Sequence, residues 1–466
     1  MNNIDNACKD VGISFSPSVY LLTLGCDKNR VDGEVMLGRL VEAGFSPVMD
    51  AARADVIIVN TCGFIREATQ ESIDTILEMA SIKADPDAPC RALIIVGCMS
   101  ERYREETKES IPEADAVLGV KDSDGIVKVV SEIMGIAGDA QPQLAHKGRM
   151  AARRFVQAPH IGYVKISDGC DNACTYCTIP AIRGAYTSRS TQDILEECVA
   201  LISSGVRELV LVAQDTALYG VDLYGSSQLA KLLREVAALS SQTWIRLMYA
   251  YPEHITEDLI QAMADLPNVC KYIDMPIQHS EAVVLRRMGR SGSQEGLLEL
   301  IRNMREKIPG IALRTTLMVG FPGETVADFK GLYNFVQEVR FDRLGVFPYS
   351  REDGTPAALM PRQVKDEVMH IRRDRLMRLQ QKIHQEKQQA KIGKTIDVII
   401  DECLEDGSHV GRTEHDAYEV DAVVYLDRTI KVTAGDIVKV KITAADEYDL
   451  YGTNQPQLAA DKGDMN

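Results

Sequence analysis

The stretch "DGCDNACTYCTIPAIRG", residues 168–184, carries three cysteines in close succession: Cys170, Cys174 and Cys177. A structural zinc site takes four protein ligands, usually as two close pairs. A disulfide framework takes an even number in an oxidising compartment. Three thiolates on one short loop suit a metal centre with one coordination position left open. The run "GYVKI" just upstream reads as a strand, so the loop leaves a strand's carboxyl end. Five more candidate strands follow: "ELVLVA", "WIRLMY", "YIDMP", "ALRTTLMV" and "RLGVFPY". Helical patterns such as "TQDILEECVALISSG" fall between them. Six βα units without a long interruption predict a partial (βα)6 barrel over residues 156–360, with its active site at the carboxyl ends of the strands.

Working outward, three apolar, β-branched runs precede the barrel: "SVYLLTLGC", "ADVIIVNTC" and "RALIIVGC". Such runs, alternating with helical patterns, predict a parallel sheet covered on both faces over residues 18–137. Each run ends in a cysteine: Cys26, Cys62 and Cys98. One cysteine there reads best as a small buried residue. Three at the same topological position point to a cluster, because sites in open α/β sheets gather at strand carboxyl ends. Residues 1–17 read as a polar tail, 138–155 as a linker and 454–466 as a second tail.

Beyond the barrel, residues 361–390 predict one long helix, its apolar stripe formed by Val364, Val368, Ile371, Leu376, Leu379 and Ile383. Its basic face reads as solvated surface. Residues 391–453 hold short alternating runs, "TIDVIID", "HVGRT", "AVVYL", "TIKVT" and "DIVKVKIT", which predict a small antiparallel β-barrel. The whole is an α/β multidomain chain.

Composition agrees. The chain has 466 residues, 45% hydrophobic and 26% charged, enough for about two to four domains with sizeable cores. The first residues lack a basic segment followed by an apolar one, so no signal peptide is expected. No apolar run is long enough for a membrane span. The expectation is a cytoplasmic protein whose eleven cysteines are thiols or metal ligands. A formal charge of −16 argues against general nucleic-acid binding and for a basic partner.

The x3-then-x2 cysteine spacing, with Tyr176 directly before the third cysteine, resembles the signature of radical S-adenosylmethionine enzymes. The resemblance implies a four-iron cluster on Cys170, Cys174 and Cys177, with its free iron chelating S-adenosylmethionine for reductive cleavage to a 5′-deoxyadenosyl radical. "TTLMVGFPGET", residues 315–325, resembles that family's fifth-strand segment, which puts Gly320 and Gly323 beside the cofactor. "VAQDTALYG", residues 212–220, ends the second strand and offers Gln214 and Asp215 toward the methionine end. His279 in "PIQHSEAVVLRRMGR" is a further candidate to face the site, or a structural histidine. Cys8, Cys90, Cys198, Cys270 and Cys403 fit no ligand pattern.

The full order, a three-cysteine domain, a radical barrel and a small β-barrel, resembles the methylthiotransferases, whose last domain is called TRAM. That implies a second four-iron cluster on Cys26, Cys62 and Cys98, two uses of S-adenosylmethionine, and no catalytic residue beyond the cluster ligands. It also implies a reducing partner such as flavodoxin or ferredoxin. Three stretches, "TLGCDKNRVDGEVMLGRL", "GFIREATQESIDTILE" and "KISDGCDNACTYCTIP", resemble the branch that modifies the β-carbon of an aspartate of small-subunit ribosomal protein S-twelve. "GRTEHDAYEVDAVVYL" does too, departing at Tyr418, where proline is usual, and at Ala422, where glycine is usual.

From Gly393 to Gly452 there are 14 Asp and Glu against 6 Lys and Arg. That balance suits a basic protein better than transfer RNA, and Asp416, Glu419 and Asp421 are expected to contribute to the field. The competing readings are a transfer-RNA methylthiotransferase and a non-enzymatic iron–sulfur scaffold.

Overall fold

A computed structural model describes residues 16–136, 158–428 and 431–454. Apart from residues 16, 17 and 454, the two expected tails and the linker 138–155 lie outside the described residues, as does Cys8. The chain divides into two compact units. One holds the residues up to Val156 together with Thr178–Gly184; the other holds Gln157–Cys177 and everything from Ala185 onward.

In the first unit, β1 (Ser18–Thr23), β2 (Ser46–Pro47), β3 (Val56–Thr61), β4 (Ala92–Gly97) and β5 (Ala116–Val117) form a parallel sheet in the order β2-β1-β3-β4-β5. The three quoted runs are its centre, and short β2 and β5 extend its edges. Alternation along β3 explains why that run is apolar throughout. Val56 and Ile58 pack with the helices Asp27–Glu42 and Ile126–Met134. Ile57 and Val59 pack with the helix Arg66–Ala84 through Ile76 and Met79.

The second unit opens with β6 (Ile161–Lys165) and a two-stranded ribbon, β7 (Ser167–Asp168) with β8 (Thr187–Ser188). Then come β9 (Glu208–Val212), β10 (Trp244–Leu247), β11 (Val269–Asp274), β12 (Ala312–Val319) and β13 (Arg343–Pro348). Strands β6, β9, β10, β11, β12 and β13 lie side by side in that order, all parallel. β6 and β13 end the sheet without pairing to each other, so the barrel is partial.

The long helix spans Asp366–Gln389, and its buried face keeps Leu376 and Ile383 of the apolar stripe read from the sequence but not Val368 or Ile371. Val364 precedes the helix, and Val368 and Ile371 are exposed. The buried positions are Met369, Arg372, Leu376, Gln380, Ile383, His384 and Gln388. They keep helical spacing, yet several are polar because they meet polar groups of the barrel. Arg372 pairs with Glu324 at 3.0 Å, and Gln380 Nε2 donates to the Phe341 carbonyl at 3.0 Å.

The last domain is a closed barrel of β14 (Thr395–Cys403), β15 (His409–Thr413), β16 (Val424–Leu426), β17 (Ile437–Ala445) and β18 (Leu450–Asn454), in the order β14-β15-β16-β18-β17. "TIKVT" is not its strand: Lys431–Thr433 are irregular, and residues 429–430 lie outside the described residues. β18 closes the barrel instead, parallel to β16 and antiparallel to β17. One of its pairings is therefore parallel in an otherwise antiparallel barrel.

This barrel docks on the amino-terminal ends of the core strands through a buried ion network. Glu208, which opens β9, binds Arg246 Nε and Arg412 Nη2, each at 2.6 Å. Arg412 also pairs with Asp401 at 2.7 Å, and Asp401 receives His160 at 2.9 Å. Arg343, which opens β13, pairs with Asp416. Asp421 accepts from the Tyr272 hydroxyl at 2.8 Å. Asp416 and Asp421 were expected on a steering surface; instead their side chains are 2% and 3% exposed and hold the two domains together. Of the three acids only Glu419 is exposed. Tyr418 lies under the Arg412 guanidinium, 5.3 Å from ring centre to carbon, a contact that proline in its place would not make.

Candidate functional site

In the first unit the three cysteines follow the strand ends in register. Cys26 is the N-cap of the helix Asp27–Glu42, Cys62 directly follows β3, and Cys98 directly follows β4. Gly25 has φ +88°, and a Cβ there would stand 2.7 Å from the Cys62 Cβ. Only glycine lets the Cys26 loop close so tightly on Cys62. Asn29 Nδ2 ties the loop down by donating to Leu24 O at 2.7 Å and Thr61 O at 3.2 Å. Ser72 Oγ brackets Cys62, donating to its carbonyl at 2.8 Å and accepting from its N–H at 3.0 Å. The three thiols lie within electrostatic reach of one another. Burial raises Cys62, and it pushes Cys98 up to about 11 against the opposing charge of Arg183.

In the second unit the loop 170–177 leaves β7 and is clamped from the far side by the turn 287–289. Thr175 N donates to Met288 O at 2.9 Å, and Thr175 Oγ1 to Arg287 O at 2.8 Å. Gly289, with φ +73°, sits where a Cβ would be 2.2 Å from Ala173 O. Asp215 is wholly buried beneath the loop with both carboxylate oxygens engaged. Asn172 Nδ2 donates to it at 3.1 Å, His254 Nδ1 lies at 2.7 Å, and Ala217 N donates at 3.1 Å. Its hydrogen bond raises the His254 pKa. Gln214 Nε2 donates to Asp168 Oδ1 at 3.0 Å. Cys174 Sγ lies 2.7 Å from the Tyr251 hydroxyl. The Arg290 guanidinium stands 3.9 Å from that tyrosine's ring centre and is held by Glu253 at 3.1 Å. Burial raises Cys170, Tyr176 and Tyr251 above their ordinary values. Tyr176 packs edge-on against Phe321, 6.3 Å between centroids, joining an apolar group with Met288 and Tyr349.

Gly320 and Gly323 each permit a close approach within the protein. A Cβ at Gly320 would lie 2.0 Å from Met369 Cγ, and one at Gly323 2.3 Å from Arg287 Nη1. His279 is fully buried, accepts from Glu281 N at 3.0 Å and is held neutral by burial, its pKa pushed down to about 3. It has Asp328 and Arg372 as charged neighbours.

Tyr251, His254, Arg290 and Arg183 were missed. Arg183 and Arg290 lie inside stretches already quoted, but nothing local marks them; their partners are remote in sequence.

Among the described residues no cysteine is in a disulfide. Among the described residues, no three His, Cys, Asp or Glu converge tightly enough to hold one ion. Soft sulfur donors suit iron–sulfur centres.

Family models match in three segments: "Uncharacterized protein family UPF0004" at 18–119, "Radical SAM superfamily" at 164–336 and "TRAM domain" at 392–454. A protein of Clostridioides difficile named "Ribosomal protein uS12 methylthiotransferase RimO" is 47% identical over 95% of this chain and 99% of its own length. The chain belongs to the RimO methylthiotransferase family. A RimO of Desulforamulus reducens is 45% identical over 94% of the chain and 99% of its own length. Among solved structures, the radical S-adenosylmethionine methyltransferase TsrM from Kitasatospora setae superposes with a TM-score of 0.55 at 14% identity, covering 74% of each chain, a likeness of fold. Membership makes this a radical S-adenosylmethionine enzyme, which implies one four-iron, four-sulfur cluster and S-adenosylmethionine. Among the described residues no helix is long and apolar enough to cross a membrane.

Proposed function

We propose that the chain transfers a methylthio group to the β-carbon of an aspartate of ribosomal protein uS12, using two four-iron clusters. Cys170, Cys174 and Cys177 would hold the radical cluster, and Cys26, Cys62 and Cys98 an auxiliary one. The observation that carries this is the duplicated arrangement: each unit has three cysteines at the carboxyl end of a parallel sheet, with all three thiols of the first unit, and Cys170 and Cys174 of the second, within electrostatic reach of one another. When bound, the clusters and S-adenosylmethionine supply one-electron chemistry at an unactivated C–H bond and a source of sulfur, which no acid–base side chain supplies.

The chain's own residues bind, orient and exclude water. Asp215 fixes the cysteine loop through Asn172 and the following wall through His254. The Tyr251 hydroxyl shares a hydrogen bond with Cys174, and Arg290 holds Tyr251. Phe321, Tyr349 and Met288 make the wall beside Tyr176 apolar, which protects a radical from side reactions. A flavodoxin or ferredoxin would deliver the electron.

Anaerobically reconstituted protein should carry about eight irons. Replacing Cys170, Cys174 and Cys177 by alanine should remove about half and abolish S-adenosylmethionine cleavage. Replacing Cys26, Cys62 and Cys98 should remove the other half and leave some cleavage. Full iron in the second triple variant would refute the auxiliary cluster. Mass spectrometry of uS12 and of bulk transfer RNA from cells lacking the gene decides the substrate. Loss of a transfer-RNA modification with uS12 unchanged would favour the nucleic-acid reading.

A further inference from the structure

We propose that Arg183 belongs to the metal centre of the first unit, as the positioning and charge-compensating residue for a cluster on Cys26, Cys62 and Cys98. The inference rests on the two-cluster reading above. Arg183 lies six positions past Cys177, yet the segment Thr178–Gly184 belongs to the first unit while the residues on either side belong to the second. The Arg183 side chain is 1% exposed. Its Nη2 donates to Cys98 Sγ at 3.5 Å, and its Nη1 pairs with Asp32 Oδ2 at 3.0 Å. Asp32 stands on the helix that Cys26 caps. Arg183 thus touches one cysteine directly and is anchored on the helix that a second one caps, and its charge opposes the burial penalty at both Cys62 and Cys98.

A buried guanidinium is costly unless its charge is met. Asp32 alone would serve an arginine whose task was to pin this segment in place. A second amino group aimed at a ligand sulfur has a different use. Three thiolates and an iron–sulfur core buried together carry net negative charge, and adding an electron makes it larger. A cation within hydrogen-bond reach of a ligand sulfur favours the reduced form and so raises the reduction potential. The guanidinium fork spans a carboxylate on one side and a sulfur on the other, which an ammonium does less well.

The test uses the full-length protein, reconstituted anaerobically, with iron analysis and potentiometric titration followed by electron paramagnetic resonance. Arg183→Gln should keep the radical-site iron and shift the midpoint of the other cluster to more negative potential, or lose that cluster's iron. Arg183→Lys should recover part of the potential. Asp32→Asn, which removes one negative charge from beside the cation, should move the same midpoint positive, and it reads the proposal even if Arg183→Gln does not fold. Unchanged midpoints in Arg183→Gln or in Asp32→Asn would overturn it. So would an Arg183→Gln protein that is less stable yet keeps both clusters at wild-type potentials, which would mark a tether. Wild-type protein with only about four irons, insensitive to loss of Cys26, Cys62 and Cys98, would instead remove the two-cluster reading, and this inference with it.

Discussion

Tyr251 and Cys174 stand 77 positions apart in the chain and 2.7 Å apart in space. That pairing shows which residues the sequence discloses. The cysteines are legible because their spacing is local and few chemistries use it. Tyr251 is invisible because its role depends on β10 delivering it beside a loop that follows β7. Removing its hydroxyl takes a hydrogen bond from a sulfur that would ligate iron. Tyr251→Phe should therefore keep its iron, lower the potential of the radical cluster and slow S-adenosylmethionine cleavage by about 10–100-fold, the usual cost of losing a partner of a metal ligand. Wild-type potential and rate together would remove the tyrosine from this role.

At the scale of elements, six barrel strands and three strands of the first sheet are readable because buried parallel strands are continuous apolar runs. The long helix is readable as a helix but not as to its face. Its buried side meets Glu324, the Phe341 carbonyl and Arg343, so polarity there does not mean exposure. The same packing explains Gly320. Its φ of +77° and the Met369 side chain over it leave no room for a methyl group. Gly320→Ala should cost about 1–3 kcal/mol from overpacking, with added strain from the backbone. Adding Met369→Ala should relieve the first part and not the second, which denaturant unfolding of the single and double variants would resolve. Full additivity of the two would show that the contact carries no strain.

At the scale of the whole chain, counting charges misled because a count does not say which acids face water. Asp416 and Asp421 are consumed in docking the last barrel. Glu402, Glu405, Glu419, Asp427, Asp436 and Glu447 stay exposed and still give that domain an acidic surface. Lysine at Glu402, Glu405 and Glu419 should slow association with a basic substrate, by an amount that shrinks as salt rises, while leaving the fold intact. An effect independent of salt would exclude steering. Lysine at Asp416 should instead unfold the interface. Within that interface, burial alone would raise the Glu208 pKa, but Arg412 and Arg246 overcome it and hold it down at about 2. Its stabilising share is present above its unfolded value of 4.5 and is lost as pH falls toward 2. Glu208→Gln should cost about 3–5 kcal/mol near neutrality, since it leaves two buried guanidinium groups under-compensated. Its thermal stability should also depend less on pH between 5 and 2 than that of the parent. Equal slopes would assign the acid sensitivity elsewhere.

The first unit is not one uninterrupted piece of chain, because Thr178–Gly184 returns to it after Cys177. In genetic terms, its leading segment is not a cassette. A recombination breakpoint between residues 137 and 157 would import a first sheet from one parent and the strip bearing Arg183 from the other. Exchanges among distant relatives should therefore succeed only when residues 178–184 travel with the leading segment, so inheritance follows the packing and not the order of the reading frame.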